Sequence, residues 1–354
     1  MAALTVDPAE WAQEQFGECE LGDLRRTQRL VKVAQQAAAR PDGSTPDQTE
    51  SWGECKAVYR LMDSDAVSHG EIIGPHCRLT RSSCVPGSVQ LILCDTTEID
   101  YQRPVQGLGP VGKGTGRGFF LHTGLMRDAH SGEVAGIAGQ ELFYRQPKSR
   151  EKVHKNSKRR DANRESVVWG KLIDQIGSAP ADVRWIHVCD RGADDYEVYC
   201  RAHLNQCGWV VRAARLNRLI QTSGGDELTL ETHLKNQPVP GRCTVQVPRQ
   251  GQRQARTAEL TIRFAPLRMP PPRVTNDWIR EHAPDKPLLM WVVELKEEHA
   301  PGDLEALHWV LLTSEPVTTV LDAQQVIGYY QLRWGVEVSQ AGCVSRTALY
   351  QLVA

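Results

Sequence analysis

The sequence predicts an α/β protein, in which a core of strands and helices is interrupted by a β-rich segment and preceded by a helical region. In residues 8–75 apolar residues such as Leu30, Val33 and Ala34 recur at helical spacing. From residue 89 onward the pattern changes to short β-rich runs that alternate with helical segments. Acidic residues follow two of these runs, which is typical of strand ends in an α/β core.

The first 75 residues are predicted to form a small helical domain, in which a second helix covers residues 54–62. Arg25, Arg26 and Arg29 lie between its apolar positions, and Arg60 lies in the second helix. An ordinary helical cap on a larger domain explains this pattern as well as a DNA-docking module with an arginine face does. The pattern alone leaves both interpretations open.

The core is predicted to occupy residues 76–214 and to resume at 306–354, around a β-rich insertion at 215–305. Strands are predicted at residues 89–94, 118–126, 133–144, 183–189, 208–213, 243–247, 258–264, 288–295 and 308–313. Helices are predicted at residues 161–176, 194–205 and from 319 to at least 337. The glycine-rich stretch 107–118 suits a loop or hairpin, and it lacks the Lys-Ser or Lys-Thr ending of a phosphate-binding P-loop.

Three acids form the candidate catalytic and metal site. Asp95 and Asp190 each follow an apolar run, and Glu337 lies on the last predicted helix. A single aspartate after a strand is more often a turn or N-cap residue than a ligand, but three acids in a strand, strand, helix order are more specific. Carboxylates are the ligands that Mg²⁺ prefers, and two such ions can clamp a phosphoryl group during in-line displacement. We therefore predict two Mg²⁺ ions, with Mn²⁺ as the alternative, held by Asp95 and Asp190 and completed by Glu337.

The last predicted helix places Tyr330 and Arg333 on the face of Glu337, at i, i+3 and i+7. Arg333 is predicted to contact a phosphate through its planar guanidinium. Tyr330 either donates a hydrogen bond to a phosphate or packs under the helix. Trp309 and Trp334 are either core residues or aromatic surfaces on which a flipped base could stack.

Composition sets few limits on the function. The chain has 354 residues, enough for several domains, and its net charge of −1 neither suggests nor excludes a polyanionic partner. Residues 145–160 hold eight Lys or Arg against one acid, either as a solvated loop or as a phosphate-tracking patch. Ten cysteines without a CxxC pair are typical of reduced thiols in a cytosolic protein, and no apolar stretch approaches the roughly 20 residues of a membrane span.

Several of these segments resemble the DDE transposases of bacterial insertion sequences, in particular the cut-and-paste group with the Tyr-Arg-Glu-Lys signature. Residues 21–26 and 57–60 resemble its amino-terminal DNA-binding helices. Cys94-Asp95-Thr96-Thr97 and residues 188–194 match the first and second catalytic acids, although many relatives have Glu where this chain has Gly192. Residues 309–316 match the strand whose tryptophan accommodates a flipped base in that family. Tyr330, Arg333 and Glu337 supply three of the four signature residues.

The resemblance implies an RNase H-like core with a β-rich insertion, and a bacterial protein of the cytoplasm that associates with the nucleoid. It implies hydrolytic nicking at transposon ends, hairpin formation and strand transfer, with water and 3′-hydroxyls as nucleophiles. The partners implied are double-stranded DNA (inverted repeats and target DNA) and a second copy of the chain.

The sequence departs from the family after residue 337. Six residues separate the signature Glu from a Lys in the family, and this chain has Val344 at the position of that Lys. Residues 338–354 lack the basic-aromatic helix and dimerisation region that the family places there, which predicts a truncated or frameshifted copy, defective in transposition. Two other readings stay open: a non-catalytic DNA-binding inhibitor or relic of a full-length transposase, and a metal-dependent nuclease unrelated to mobility.

Overall fold

The computed structural model describes residues 7–101, 107–112, 115–146, 157, 160–161, 164–247, 255–300, 302, 306–333 and 335. The helices assigned in these residues are α1 (Pro8–Phe16), α2 (Leu24–Ala39), α3 (Thr45–Gln48), α4 (Trp52–Met62), α5 (His69–Ser82), α6 (Val167–Ile176), α7 (Tyr196–Leu204), α8 (Leu230–Lys235), α9 (Asp277–His282) and α10 (Val320–Leu332), with a short 3₁₀ helix at Arg191–Ala193. The strands are β1 (Val89–Asp100), β2 (Gly109–Pro110), β3 (Arg117–Asp128), β4 (Val134–Phe143), β5 (Arg184–Cys189), β6 (Gly208–Arg212), β7 (Leu219–Gln221), β8 (Glu227–Thr229), β9 (Gly241–Val247), β10 (Arg256–Met269), β11 (Leu288–Glu297) and β12 (His308–Thr313).

The helical region predicted at the amino terminus is confirmed. Helix α2 begins at a local cap, because the Asp23 carboxylate accepts a hydrogen bond of 2.9 Å from the Arg25 backbone N–H. Its buried positions include Leu30, Val33 and Ala37, which pack with residues of α1, α4 and α5 in a small core of their own. The apolar spacing in the sequence therefore marks the face that this core buries.

Helix α5 joins the helical region to the sheet. The His76 Nε2 atom accepts a hydrogen bond of 3.0 Å from the Ile137 backbone N–H on β4, and Arg81 donates to the Ala138 carbonyl. His69 lies 2.9 Å from the Gln140 side chain on the same strand. Helix α5 thus runs across the predicted boundary at residue 75 and ends at Ser82.

One twelve-stranded sheet forms the frame of the described residues. Its main path is β2-β3-β1-β5-β6-β12-β11-β10-β7-β8, with β4 paired to β3 and β9 paired to β10. Strands β1, β5 and β6 are parallel, whereas β3 is antiparallel to β1 and β12 is antiparallel to β6. The strands of the β-rich segment 215–305 therefore extend the sheet of the core through β12.

Most predicted strands are confirmed, and several elements differ in extent. Strand β10 runs from Arg256 to Met269 where a strand was predicted at 258–264, and α10 ends at Leu332, short of the predicted residue 337. Strand β1 continues beyond residue 94 to Asp100, because β3 pairs with it as far as Gly118. The helix predicted from residue 161 begins at Val167, since the described residues just before it are not helical. Within the described residues, no helix is long and apolar enough to cross a membrane.

The two faces of the sheet carry different cores. The front face, which holds Leu91 and Leu93 of β1 and Ile186 and Val188 of β5, packs against α10. The back face holds the alternate residues of the same strands, among them Cys94 and Cys189, and packs against α6 and α7. Alternation along a strand therefore decides which core each residue joins.

Candidate functional site

Asp95 lies within β1 and Asp190 directly follows β5, just beyond the point where the parallel pairing of these two neighbouring strands ends. Leu93 of β1 pairs with Val188 of β5, and each aspartate follows two residues later on its own chain segment. The Asp190 backbone is extended, with φ −80° and ψ −168°, so alternation carries both side chains to the front face. The structure thus brings together the two acids that the sequence singled out.

Asp190 also begins the 3₁₀ helix that follows β5. One of its carboxylate oxygens accepts a hydrogen bond of 2.6 Å from the Gly192 backbone N–H, which fixes the carboxylate at the start of the turn. The Trp169 indole lies against that turn, since a Cβ at Gly192 would come within 3.0 Å of its Cζ2 atom. A larger side chain at position 192 would therefore require Trp169 to move.

Arg333 reaches Asp95 from the end of α10. Its Nη1 atom lies 3.4 Å from Asp95 Oδ1, and its side chain is 6% exposed while that of Asp95 is 20% exposed. The predicted arginine therefore lies at the site, and in this structure it faces a carboxylate.

Tyr330 is buried, at 1% exposure. Its ring packs edge-on against Trp309 of β12, with 5.5 Å between the ring centroids. This position corresponds to the packing alternative for Tyr330, and the Trp309 residue that it contacts is partly exposed.

The back face of the sheet, behind the two aspartates, carries polar side chains that are buried. Cys94 Sγ lies 3.8 Å from His187 Nδ1, and a hydrogen bond with the Cys189 thiol, together with His187, lowers the pKa of Cys94 to about 6 against the effect of burial. Burial lowers the pKa of His122 to about 3, and its Nδ1 atom lies 2.8 Å from the Thr96 hydroxyl. Sequence reasoning missed both histidines, because neither lies in a spaced motif.

The donor set suits a hard divalent cation, as far as the structure describes it. Asp95 and Asp190 supply carboxylate oxygens on one face, and the Thr97 hydroxyl beside them is buried without a hydrogen-bond partner in the described residues. No group of three or more His, Cys, Asp or Glu that could hold a metal occurs among those residues. Glu337, the predicted third ligand, and Trp334 lie outside the described residues.

The arginines predicted for DNA binding lie on the helical region. Arg25 and Arg60 are exposed, and Arg29 is partly exposed. Arg25 is ion-paired with Asp23, and the Arg26 guanidinium donates to the Leu21 carbonyl at 2.9 Å, so Arg26 also supports the turn before α2.

Sequence reasoning missed an aromatic residue on the outer face of α4. Trp52 is 65% exposed, and the ammonium of Lys56 lies 5.4 Å from its ring centroid. Their spacing of four residues, opposite the buried Cys55 and Val58, was the available indication. Of the basic run at 145–160, only residues 145–146, 157 and 160 are described.

A family model described as transposase DNA-binding matches residues 8–67. The match covers α1 to α4 and the arginines just described. It supports a transposase, a DNA-processing protein with DNA as its partner.

Proposed function

We propose that this protein is a DDE-type DNA transposase of the insertion-sequence group with the Tyr-Arg-Glu-Lys signature. Its reaction is metal-dependent nicking at the ends of the element, followed by hairpin formation and strand transfer into target DNA. The fold proposed for the chemistry is an RNase H-like core, supported by the order β4-β3-β1-β5-β6 with β1, β5 and β6 parallel. The family match over residues 8–67 supports the DNA-binding half of the proposal.

One observation carries the chemical half. Asp95 of β1 and Asp190 after β5 lie just beyond the parallel pairing of these strands, on the face that α10 covers, and Arg333 at the end of α10 contacts Asp95. Arg333 is four residues before Glu337 in the chain, a separation of about one helical turn. A helix continued by that turn would bring the third acid to the face of the first two.

Asp95, Asp190 and Glu337 are the residues that would hold two Mg²⁺ ions, or Mn²⁺ in their place. When bound, the ions would supply charge neutralisation at the phosphoryl group and activation of the attacking oxygen. Arg333 would orient a phosphate by paired donation from its guanidinium, and the hydrogen bond from Gly192 would hold Asp190 in place. Trp309 and Trp334 would receive an extruded base, and Tyr330 would support Trp309 from beneath.

Arg25, Arg26, Arg29 and Arg60 would hold the inverted repeat through its phosphates. Such contacts fix the register of a protein on a duplex, and they release counterions, so binding would weaken steeply with salt. Dimerisation, which the family uses to bring two ends together, belongs to the proposal in the same way.

A nicking assay tests the proposal. The substrate is a labelled duplex that carries the inverted repeat flanking the gene, and the matched control is the same duplex with the repeat scrambled. We expect Mg²⁺-dependent nicking at the element boundary that disappears in Asp190→Asn and persists in Asp285→Asn, an exposed aspartate far along the chain. Nicking of both duplexes alike would instead indicate a nuclease without end specificity.

The family match over residues 8–67 concerns DNA binding and would also suit a second candidate. A product that binds the ends without cutting them would occupy the sites of a full-length relative and inhibit it. Tight binding of the repeat without nicking, and inhibition that Asp95→Ala leaves unchanged, would favour this alternative.

A further inference from the structure

Three aspartates follow β5 within six residues, and the structure gives each a different environment. Asp190 starts the 3₁₀ helix and is partly exposed on the front face. Asp195 caps α7, since its carboxylate accepts a hydrogen bond of 3.0 Å from the Glu197 backbone N–H. Asp194 lies between them, and its side chain is fully buried.

Every contact of the Asp194 carboxylate points into the protein. Its Oδ1 atom accepts a hydrogen bond of 2.7 Å from the Tyr199 hydroxyl and lies 2.7 Å from Arg218 Nη1. Its Oδ2 atom accepts a hydrogen bond of 2.7 Å from the Ala214 backbone N–H. These partners come from α7 and from the segment after β6, so Asp194 joins the end of the 3₁₀ helix to both.

Arg218 makes a second contact with Asp194. Its Nη2 atom donates to the Asp194 backbone carbonyl at 3.2 Å, so one guanidinium holds both the side chain and the main chain of Asp194. Arg218 lies at the start of the β-rich segment, just before β7. The β-rich segment therefore contacts the turn that carries Asp190.

The turn between the two aspartates has little freedom to adjust by itself. The Ala193 N–H donates to the Asp190 carbonyl and the Asp194 N–H donates to the Arg191 carbonyl, each at 3.3 Å, and Ala193 is fully buried. A shift of Asp194 would thus be transmitted through this turn to Asp190 and to the Trp169 indole beside Gly192.

We infer that Asp194 and Arg218 are positioning residues for the metal site: their ion pair fixes the turn Arg191–Ala193 and so aims the Asp190 carboxylate at the metal. This inference rests on the proposed function only for the metal itself. The Asp194–Arg218 pair would act on Asp190 as residues around a metal ligand do. Such residues orient the ligand, and their loss typically reduces metal affinity or activity about 10–100-fold.

The substitutions that test the pair keep its size and change its donors or acceptors. Asp194→Asn leaves one acceptor oxygen where the carboxylate offers two, so either the Tyr199 hydroxyl or the Ala214 N–H loses its partner. Arg218→Lys keeps the charge and loses the fork that reaches both the side chain and the carbonyl. Arg215→Lys is the matched control, because Arg215 is exposed and lies three residues earlier in the same segment.

Two measurements on the full chain read the result. Fluorine NMR of protein labelled with 5-fluorotryptophan reports the Trp169 resonance, identified by its absence in Trp169→Phe. Electron paramagnetic resonance reports Mn²⁺ binding, and Asp190→Asn identifies the part of that binding that belongs to the site. We expect Asp194→Asn to move the Trp169 resonance and to weaken site-specific Mn²⁺ binding about tenfold. Arg218→Lys should show a smaller change in the same direction, and Arg215→Lys should show none.

Two outcomes overturn the inference. A Trp169 resonance unmoved in both Asp194→Asn and Arg218→Lys would mean that the pair does not hold the turn. A moved resonance with unchanged Mn²⁺ affinity would mean that the turn does not aim Asp190. If Asp190→Asn removes none of the Mn²⁺ binding of the wild-type protein, the proposed function is wrong. The Trp169 resonance then still tests whether the Asp194–Arg218 pair fixes the turn. Should Asp194→Asn not fold, Arg218→Lys decides on both readouts.

Discussion

The helical region and the front face of the sheet differ in how far their charged side chains are exposed to solvent. Arg25 on α2 is 89% exposed, whereas Arg333 at the end of α10 is 6% exposed and lies against Asp95. Exposed charges act over about 10 Å and weaken with salt, which suits the capture of a polyanion. Charges that are partly buried and held by hydrogen bonds are pre-organised, which suits chemistry at one phosphate. We therefore expect that some mutations weaken DNA binding alone and others weaken DNA cleavage alone.

Asp95→Asn should have the largest effect, and only on cutting. The substitution preserves the volume and removes the charge that Arg333 faces, together with one of the proposed metal ligands. We expect Mg²⁺-dependent nicking to fall at least about 10³-fold, the scale of losing one member of a catalytic set, while end binding by fluorescence anisotropy stays unchanged. Loss of binding in parallel with nicking would contradict the separation.

Tyr330→Ala should show that the buried Tyr330 ring stabilises the core on the front face of the sheet. Removing a ring that packs against Trp309 should lower the free energy of unfolding by about 3–5 kcal/mol in urea titrations. Tyr330→Phe keeps the ring, so we expect a change below about 1.5 kcal/mol and normal nicking. A Phe variant of normal stability that no longer nicks would instead assign the Tyr330 hydroxyl to a phosphate.

The double variant Arg25→Ala, Arg60→Ala should affect capture alone. Both side chains are exposed, so we expect stability to change by no more than about 0.5 kcal/mol. If each contacts one phosphate, the slope of log affinity against log salt should fall by about 2. The control is Arg268→Ala, Arg273→Ala, which removes the same charge from exposed positions in the β-rich segment. An equal loss in the control would mean that net charge rather than this helical face sets the affinity.

The smallest effect should come from the junction between the two regions. Burial lowers the pKa of His76 below its usual 6.5. Its Nε2 atom accepts a hydrogen bond from the Ile137 N–H, which a protonated ring cannot do. Burial lowers the pKa of His69 in the same direction. A depressed folded-state pKa means that the stabilisation is complete above about pH 6.5 and is lost as the pH falls toward the folded value. Unfolding measured from pH 7.5 to 5.5 should show this loss.

His76→Phe should reduce the pH dependence to the part that His69 contributes, and the exposed His130→Gln should leave the profile unchanged. A wild-type profile that is already flat over this range would mean that α5 is not held to β4 by a neutral imidazole.

Much of the frame was predictable because local patterns and tertiary contacts agree there. Strand β12 was predicted at its observed bounds, since an apolar run is bounded by a polar turn on its carboxyl side. Asp95 and Asp190 were predicted as partners because each follows an apolar run typical of a buried strand, and the parallel pairing of β1 with β5 brings the two segments together.

What the sequence could not supply lies in contacts between distant residues. Residues 95–100 are polar except for Ile99 and do not form an apolar strand pattern, and pairing with β3 extends β1 through them. Helix α5 contains Pro75 and two glycines, so its propensity is poor, and packing against β4 holds it to Ser82. Asp194 and Arg218 are 24 residues apart with no repeat between them, and a pattern search has no reason to pair them.

The antiparallel pairing of β6 with β12 has a consequence for the order of folding. Val210 pairs with Thr313, so this contact closes a loop of about 100 residues, whereas β1, β3 and β4 pair within a meander. Contacts of such separation form late, because the chain entropy of closing the loop must be lost first. During synthesis the three parallel strands would leave the ribosome well before α10, with the front face uncovered in the interval. The apolar side chains beside the two aspartates would then be the surface most exposed to aggregation or to chaperones.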